Sequence, residues 1–471
     1  MVIVFVHGWS VRNTDAYGQL PERLKAESLG AGINLDIRHV VVSRYVSFDD
    51  SVTLDDIARA FDKALRANLS LKAGERFACI THSTGGPVVR KWLDLFYGPS
   101  KIQASGLSHL IMLAPANHGS ALAQLGKSGF SRGVDAIRGT EPGQRVLDWL
   151  ELGSDEQWSL NESWLKYRCV RRGVFPFVLT GQTIDRRLYD HLNSYTAEPG
   201  SDGVVRVSAA NMQYSHLTLR QAGRHLEIQK RSRSETVAFG ILPGTSHSGQ
   251  RMGIIRSVPL QDPSPLLPHP TVFWVLRCLS VRDRSEYARV RSEFAELTTK
   301  TQLDERVQTV HKLVGKATYI TSRYSMLIFK LQDERGNPLT TYDLILTAGP
   351  ESNPNELPQG FFQDRQRNKL NLGKLTYYVD YDAMDAGLMN SAMQGKLGLR
   401  VVAHPVDSGL AYYRVAELLA DRRLLEEILQ PNQTVMVEIT LRRHVDTNVY
   451  SISPDLQPAE FDGMPSGTVL D

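Results

Sequence analysis

A serine at the tip of a tight turn between a strand and a helix constrains this chain more than any other feature. The apolar residues 77–80 predict a buried strand, and residues 86–92 predict a helix, with Ser83 between them. So sharp a turn strains the serine backbone and lifts its hydroxyl clear of the sheet. The N-terminus of the following helix presents free N–H groups to a developing negative charge. The segment therefore predicts a reactive serine at the end of a sheet strand.

The turn itself reads Thr81-His82-Ser83-Thr84-Gly85, whereas the usual nucleophile elbow reads Gly-x-Ser-x-Gly. Small residues are needed on both sides of the serine so that strand and helix approach closely, and threonine is the largest residue that we accept there. An ordinary helix N-cap is the alternative interpretation. The choice depends on whether the other parts of a serine-based site follow in the required order.

The N-terminal segment supplies a second part of such a site. Residues 2–6 are apolar and mostly β-branched, as in a strand buried on both faces of a parallel sheet, and a His-Gly pair follows them. A loop at this place supplies one backbone N–H to an oxyanion hole. We expect Trp9, or else Ser10, to be that donor and the N–H of Thr84 to be the second.

A serine nucleophile needs a histidine base and a carboxylate that orients the histidine, here in the chain order serine, acid, histidine. The predicted strand 174–181 is followed by a glycine-bounded turn in which Asp202 precedes two valines. Asp202 is our candidate, with a plain turn aspartate as the alternative interpretation. Asp185 and Asp190 lie nearer the strand, but in a charged stretch that predicts an exposed helix.

The candidate base is His247, which lies in a loop of small residues after the predicted strand 236–242. The rival histidines are His216, His225 and His269. His225 lies in a basic run, and His269 lies between prolines. A loop histidine without a role is the alternative.

These residues together resemble the serine lipases and esterases of the α/β-hydrolase superfamily over about residues 1–278. The turn Ser-Asp-Gly-Val-Val around Asp202 is similar to the acid turn of bacterial lipases. Residues 113–120 resemble the Pro-x-x-x-Gly-Ser segment of lipases and of lecithin acyltransferase-like enzymes, so the resemblance implies that His118 is structural.

The resemblance also implies an α/β fold with a mainly parallel sheet and the hydrolysis of acyl esters. Ser83 would attack the ester carbonyl, His247 would take its proton, and Asp202 would orient the imidazole. No cofactor and no metal is expected. The acids at 380–385 indicate a solvated turn more than a calcium site.

With 471 residues, the chain is too long for one compact domain. We predict a catalytic domain at 1–278, a helical linker at 279–316 and a β-sandwich-like accessory domain at 317–471, with one helix at 415–429. Residues 121–173 predict an aromatic-rich helical insert, which is either a lid over an acyl pocket or ordinary core.

The composition limits the classes of binding partner that we expect. The net charge is only +3, so nucleic acid is not an expected partner. The share of charged residues, 22%, is that of a globular protein. No apolar run reaches transmembrane length. The basic residues 229–233 would suit anionic lipid headgroups or a solvated hairpin. Three cysteines give no disulfide framework, and no signal peptide is evident, so we expect synthesis in the cytoplasm with export, if any, by a signal-independent route.

The sequence thus predicts a serine lipase or phospholipase that acts on a lipid substrate at a membrane surface. The added domain and the missing signal are similar to antibacterial phospholipase effectors of type VI secretion, which implies a secretion-apparatus or immunity partner. A carboxylesterase or acyltransferase for small soluble esters is one alternative. A binding protein on an inactive hydrolase fold is the other.

Overall fold

The computed structural model describes most residues of the chain. They are 1–7, 17–42, 51–69, 74–126, 144–184, 198–261, 268–311, 316–388, 390, 392–404, 411–445 and 465. The strands are β1 (Val2–His7), β2 (Asp36–Val41), β3 (Phe77–His82), β4 (Leu107–Leu113), β5 (Phe175–Thr180), β6 (Tyr214–Ala222), β7 (His225–Arg233), β8 (Ala238–Ile241), β9 (Val307–His311), β10 (Lys316–Ile320), β11 (Tyr324–Asp333), β12 (Tyr342–Ala348), β13 (Phe362–Arg367), β14 (Lys374–Asp380), β15 (Lys396–Ala403), β16 (Ala411–Tyr413), β17 (Ala416–Asp421), β18 (Thr434–Leu441) and β19 (Arg443–Val445).

Helices of very different length connect and cover these strands. They are α1 (Leu20–Ser28), α2 (Leu54–Asn68), α3 (Gly85–Phe96), α4 (Gly98–Lys101), α5 (Ala123–Gly126), α6 (Gln144–Leu150), α7 (Asp155–Trp164), α8 (Val207–Ala210), α9 (Pro270–Leu279), α10 (Arg284–Asp304), α11 (Tyr381–Leu388) and α12 (Arg422–Ile428), with short 3-10 turns at Ile102–Ser105, Val170–Arg172 and Pro354–Glu356.

The first sheet carries the predicted serine turn. Its six strands are all parallel and lie in the order β2-β1-β3-β4-β5-β8. Burial on both faces explains why these strands are nearly continuous apolar runs. Helices α2 and α3 cover one face, and α1, α9 and α10 cover the other. The predicted mainly parallel sheet is confirmed.

The second sheet is mixed and has nine strands, in the order β12-β15-β17-β7-β6-β18-β11-β14-β13. Its hairpin β6–β7 comes from the N-terminal half of the chain, and β6 pairs in parallel with β18. The other seven strands follow residue 320, which agrees with a β-rich C-terminal part. The sheet alternates its faces, with Tyr378 directed to the first sheet and Tyr377 to the opposite core.

One hydrophobic core joins the two sheets. Helix α7 lies between them, and its Trp158 and Trp164 are 4% and 3% exposed. Trp149 of α6 is buried in the same core. This part of the predicted insert therefore packs as core. Residues 127–143 of the predicted insert lie outside the described residues, and the lid stays a prediction.

The predicted boundaries at residues 279 and 317 stay predictions, with two observations that bear on them. Helix α10, predicted as linker, packs on the first sheet, where its Tyr287 hydroxyl donates to the carbonyl of Pro176 at 2.7 Å. The β6–β7 hairpin belongs to the second sheet by pairing. The predicted helix at 415–429 was wrong in its first half, because residues Ala416–Asp421 pair with β15 before α12 begins.

Candidate active site

Ser83 lies in the turn between β3 and α3, as the sequence predicts. Its φ is +53°, a left-handed conformation that is uncommon for a residue other than glycine. The turn is fixed by two hydrogen bonds: the Ser83 N–H donates to the carbonyl of Leu113 at 3.1 Å, and the Ser83 carbonyl accepts from the N–H of Ala116 at 3.3 Å. The hydroxyl is therefore held at the carboxyl end of the sheet.

Small residues let the turn pack this closely. A Cβ on Gly86 would lie 2.9 Å from the Cβ of Pro115, and one on Gly85 would lie 3.1 Å from the Cβ of Thr81. Thr81 is fully buried and takes the place of the first glycine of the usual motif. Threonine is tolerated at position 81 because Gly85, which has no side chain, leaves room for the Thr81 side chain.

Asp202 is fully buried in the turn after residue 200. Its Oδ1 accepts hydrogen bonds from the backbone N–H groups of Val204 at 3.0 Å and Val205 at 2.8 Å. These bonds stabilise the carboxylate and fix its plane. The second oxygen, Oδ2, is directed at His247.

His247 joins the acid to the serine. Its Nδ1 lies 2.9 Å from Oδ2 of Asp202, and its Nε2 lies 3.1 Å from Oγ of Ser83. Its backbone N–H also donates to the carbonyl of Asp202 at 2.9 Å. The side chain is 4% exposed. The structure thus brings the three predicted residues into one hydrogen-bonded row, and their catalytic roles stay a prediction that is taken up below.

His82, next to the serine, supports the base loop and was not singled out from the sequence. Its Nε2 lies 3.2 Å from the carbonyl of His247, and the two rings are 4.7 Å apart. Burial, with smaller contributions from His247 and Arg256, lowers the pKa of His82 to about 3. The ring is therefore neutral near pH 7, and its N–H donates to that carbonyl.

The predicted oxyanion donors are placed only in part. Thr84 is the N-cap of α3, so its N–H has no acceptor within the helix. Trp9 and Ser10 lie outside the described residues, as do Asp185 and Asp190.

The rival histidines lie on other elements. His216 and His225 are on strands of the second sheet, and His269 is the N-cap of α9. His118 is fully buried with its ring against Tyr214, and burial lowers its pKa well below the usual range.

Arg206 is a second residue that the sequence analysis missed. It follows the acid turn, is 1% exposed and bonds Glu198 and Asp364. The signal that was available is a charged residue directly after an apolar turn. Its partner Asp364 lies 158 positions away, and nothing in the sequence around Asp364 indicates the contact.

The described ranges carry neither a metal-binding cluster nor a membrane-spanning helix. No group of three or more His, Cys, Asp or Glu side chains there could hold a metal ion. In those same ranges, no helix has both the length and the apolar character needed to cross a bilayer. Cys79, Cys169 and Cys278 are buried free thiols.

The parallel sheet, the serine turn and the order serine, acid, histidine define an α/β-hydrolase. No family model and no curated protein matches the chain. Among solved structures, phospholipase PlaB from Legionella pneumophila is 52% identical over 100% of both chains, with a TM-score of 0.88. Its complex with thio-NAD gives the same values. A Bacillus licheniformis lipase, BlEst2, is 19% identical with a TM-score of 0.30 over 45% of this chain and 78% of its own, a likeness that carries no argument.

The chain therefore belongs to the PlaB phospholipase family. It is a lipid ester hydrolase of the lipase and phospholipase type, as its sequence predicts, and its substrate is a lipid.

Proposed function

We propose that Ser83, His247 and Asp202 are the nucleophile, the base and the orienting acid of this lipid ester hydrolase. The observation that carries the proposal is the unbroken row of hydrogen bonds from Asp202 through His247 to Ser83, which ends on a serine with a φ of +53°. A row in this order is what a serine esterase needs, because one imidazole must both accept a proton from the serine and return it to the leaving group.

Acylation starts when His247 Nε2 takes the proton of the Ser83 hydroxyl. The oxygen attacks the acyl carbonyl, and the π electrons of that carbonyl move to its oxygen. The tetrahedral intermediate then collapses, the ester C–O bond breaks, and the lipid alcohol leaves with the proton from His247. Asp202 stabilises the imidazolium that exists between these steps.

Deacylation repeats the sequence with water. His247 takes one proton from the water, the hydroxide attacks the acyl carbon, and the bond to Ser83 breaks. Ser83 regains the proton, and the fatty acid is released. We assign the N–H groups of Thr84 and Trp9 to the oxyanion. One such donor is typically worth ~3 kcal/mol of transition-state stabilisation.

The test is fatty-acid release from mixed phospholipid vesicles by wild type and Ser83→Ala. Ser292→Ala, an exposed serine on α10, is the matched control. We expect release by wild type and Ser292→Ala and a loss of ~10⁴-fold or more for Ser83→Ala. Retained release by Ser83→Ala would remove the proposed nucleophile. If wild type cleaves only soluble esters, the carboxylesterase alternative replaces the phospholipid substrate.

The finer biological role is also a proposal. We infer from the added β-rich part that the protein acts at a membrane surface as an antibacterial effector of type VI secretion, made in the cytoplasm, exported by a signal-independent route and recognised by a secretion-apparatus or immunity partner. Expression of wild type directed to the periplasm should stop bacterial growth, whereas Ser83→Ala should not. Equal growth of both strains would contradict the effector role.

No resident cofactor is needed for this hydrolysis, because the three side chains supply nucleophile, base and acid. The thio-NAD complex of the Legionella pneumophila relative suggests dinucleotide binding as a separate property of this chain. Calorimetric titration with thio-NAD checks it, and it is independent of the roles of Ser83 and His247.

A further inference from the structure

The loop that carries the candidate acid, residues 198–206, is here called the acid loop. Its own backbone sets the carboxylate of Asp202, through the N–H groups of Val204 and Val205 described above. The loop is closed by two more bonds: the Asp202 N–H donates to the carbonyl of Val205 at 3.2 Å, and the Val207 N–H donates to the carbonyl of Gly200 at 2.9 Å. Any shift of this loop therefore moves the carboxylate with it.

The acid loop rests on the second sheet at its start. The hydroxyl of Tyr378, on β14, lies 3.0 Å from the carbonyl of Pro199 and 3.1 Å from that of Gly200, and it donates to them. Gly200 has a φ of +69°, and a Cβ there would lie 2.3 Å from the ring of Tyr324 and 2.5 Å from the Tyr378 hydroxyl. The loop backbone is thus in direct contact with β11 and β14, and only glycine fits at this point.

The end of the acid loop is held by Arg206. Its Nε and Nη2 donate to Glu198 at 2.8 and 2.6 Å, which ties the two ends of the loop together. Nη2 also donates to Asp364 of β13. The guanidinium carbon lies 4.2 Å from the ring centroid of Tyr378.

The charge of Arg206 is retained although the side chain is buried. Burial opposes the charged form, but Glu198, Tyr378 and Asp364 outweigh it, so the pKa of Arg206 is raised above its ordinary value. A buried ion pair of this kind fixes geometry, because either partner left alone would be an uncompensated charge in the interior.

We propose that Arg206, Asp364 and Tyr378 form a positioning cluster through which the second sheet sets the orientation of Asp202, and so of His247. The inference rests on the proposed role of Asp202 as the orienting acid. It makes the nine-stranded sheet a part of the catalytic apparatus as well as a covering layer. The three side chains act through Asp202 and do not touch the substrate.

Two neighbouring tyrosines on β14 give a matched test. Tyr378 bonds the acid loop, whereas Tyr377 faces the opposite core and donates to the carbonyl of Leu344. Tyr378→Phe and Tyr377→Phe each remove one hydroxyl bonded to backbone carbonyls. They are compared on a soluble short-chain ester, so that membrane docking does not enter, and rates are normalised to folded protein.

For Tyr378→Phe we expect kcat to fall ~10-fold with KM within about twofold, because a small misplacement of a catalytic group lowers the rate without weakening substrate binding. Tyr377→Phe should keep the wild-type kcat, whatever it loses in stability. An unchanged kcat in Tyr378→Phe, or an equal fall in both variants, would overturn the positioning role.

Asp364→Asn is the second variant, and it should also lower kcat at constant KM. The decisive control is Tyr378→Phe placed in an Asp202→Asn background. A residue that acts through Asp202 should cause no further loss there, whereas an independent effect would be additive and would contradict the proposal. If instead Ser83→Ala or Asp202→Asn alone retains activity, the proposed function fails and not only the cluster.

Discussion

The two sheets differ in how far apart in the sequence their paired strands lie. In the first sheet, β1, β3, β4, β5 and β8 run parallel and end at one edge, so the turns after them bring Ser83 and His247 together. In the second sheet, β6 pairs with β18 across more than two hundred residues. The first sheet presents the reactive groups from its own strand ends. The second reaches the same site from outside, through side chains on β13 and β14.

The two sheets therefore have different roles at the site. Turns at the ends of parallel strands suit chemistry because they expose a side chain while the sheet stays rigid. A large mixed sheet lacks such an edge here, but its inner face holds the acid loop and helix α7. Because both sheets share one core, neither should be stable in its present form without the other.

The largest expected effect is on kcat, and it should distinguish two buried histidines. His247 lies in the loop after β8 of the first sheet, and His216 lies on β6 of the second sheet. His247→Ala should lower kcat ~10⁴-fold or more, because proton transfer to and from Ser83 is lost. His216→Ala, on β6, removes a ring that packs against Trp158 and should leave kcat per folded molecule within about twofold. Steady-state hydrolysis of a soluble ester measures both. Similar losses in the two variants would erase the distinction between the sheets.

Loss of the shared core is the next largest effect. Trp158→Ala should lower the free energy of unfolding by ~3–5 kcal/mol, because it leaves a cavity between the sheets and removes the ring faced by Lys330 and Lys374. Ser159→Ala, exposed on the same helix, should change it by less than ~0.5 kcal/mol. Urea unfolding gives both values. Separate transitions for the two sheets in wild type would contradict a shared core.

Acid should weaken the first sheet through His109 on β4. Burial, with a smaller contribution from Arg76, lowers the pKa of His109 to about 4, against an opposing contribution from the Val281 carbonyl. Below about pH 6.5 the unfolded chain binds this proton and the folded chain does not, so stability falls as the pH drops from 6.5 to 4.

The loss from this one group approaches ~3 kcal/mol near pH 4. His109→Gln should remove about one proton from the slope of unfolding free energy against pH in this window, and Ser159→Ala should not. Urea unfolding at pH 7 and 4.5 measures the slopes. An unchanged slope in His109→Gln would mean that the ring is already charged in the folded protein.

The smallest effect tests the packing of the serine turn. Gly86→Ala places a Cβ 2.9 Å from Pro115 and 3.2 Å from Sδ of Met112, and we expect a loss of ~1–3 kcal/mol in stability with a fall in kcat. Gly30→Ala meets only the Glu27 carbonyl at 3.4 Å and should be near neutral. Urea unfolding measures the stability of the two variants, and ester hydrolysis measures their kcat. Equal stability would show that strand and helix can separate freely.

The first sheet was largely predictable, because its signals are local. Buried parallel strands are continuous apolar runs, and the turn with Ser83 and the loop with His247 come soon after β3 and β8, whereas Asp202 lies further along the chain from the end of β5. Departures from the pattern were interpretable only in three dimensions, as for Thr81, whose side chain fills space left by Gly85.

The second sheet was predictable only as separate strands. Nothing near β6 indicates that its partner is β18, and nothing near Arg206 indicates Asp364. Pairing over such distances depends on the global packing of two faces. For the same reason the aromatic insert could not be assigned, since a tryptophan in a lid and a tryptophan between two sheets have the same sequence signal.

The most direct measurement is the rate and position of labelling by a lipid-like fluorophosphonate, followed by mass spectrometry of the digested protein. We expect a single adduct on the peptide that contains Ser83, no adduct there in Ser83→Ala, and labelling slowed at least ~100-fold in His247→Ala. An adduct on another residue, or equal rates in wild type and His247→Ala, would show that Ser83 is not a nucleophile activated by His247.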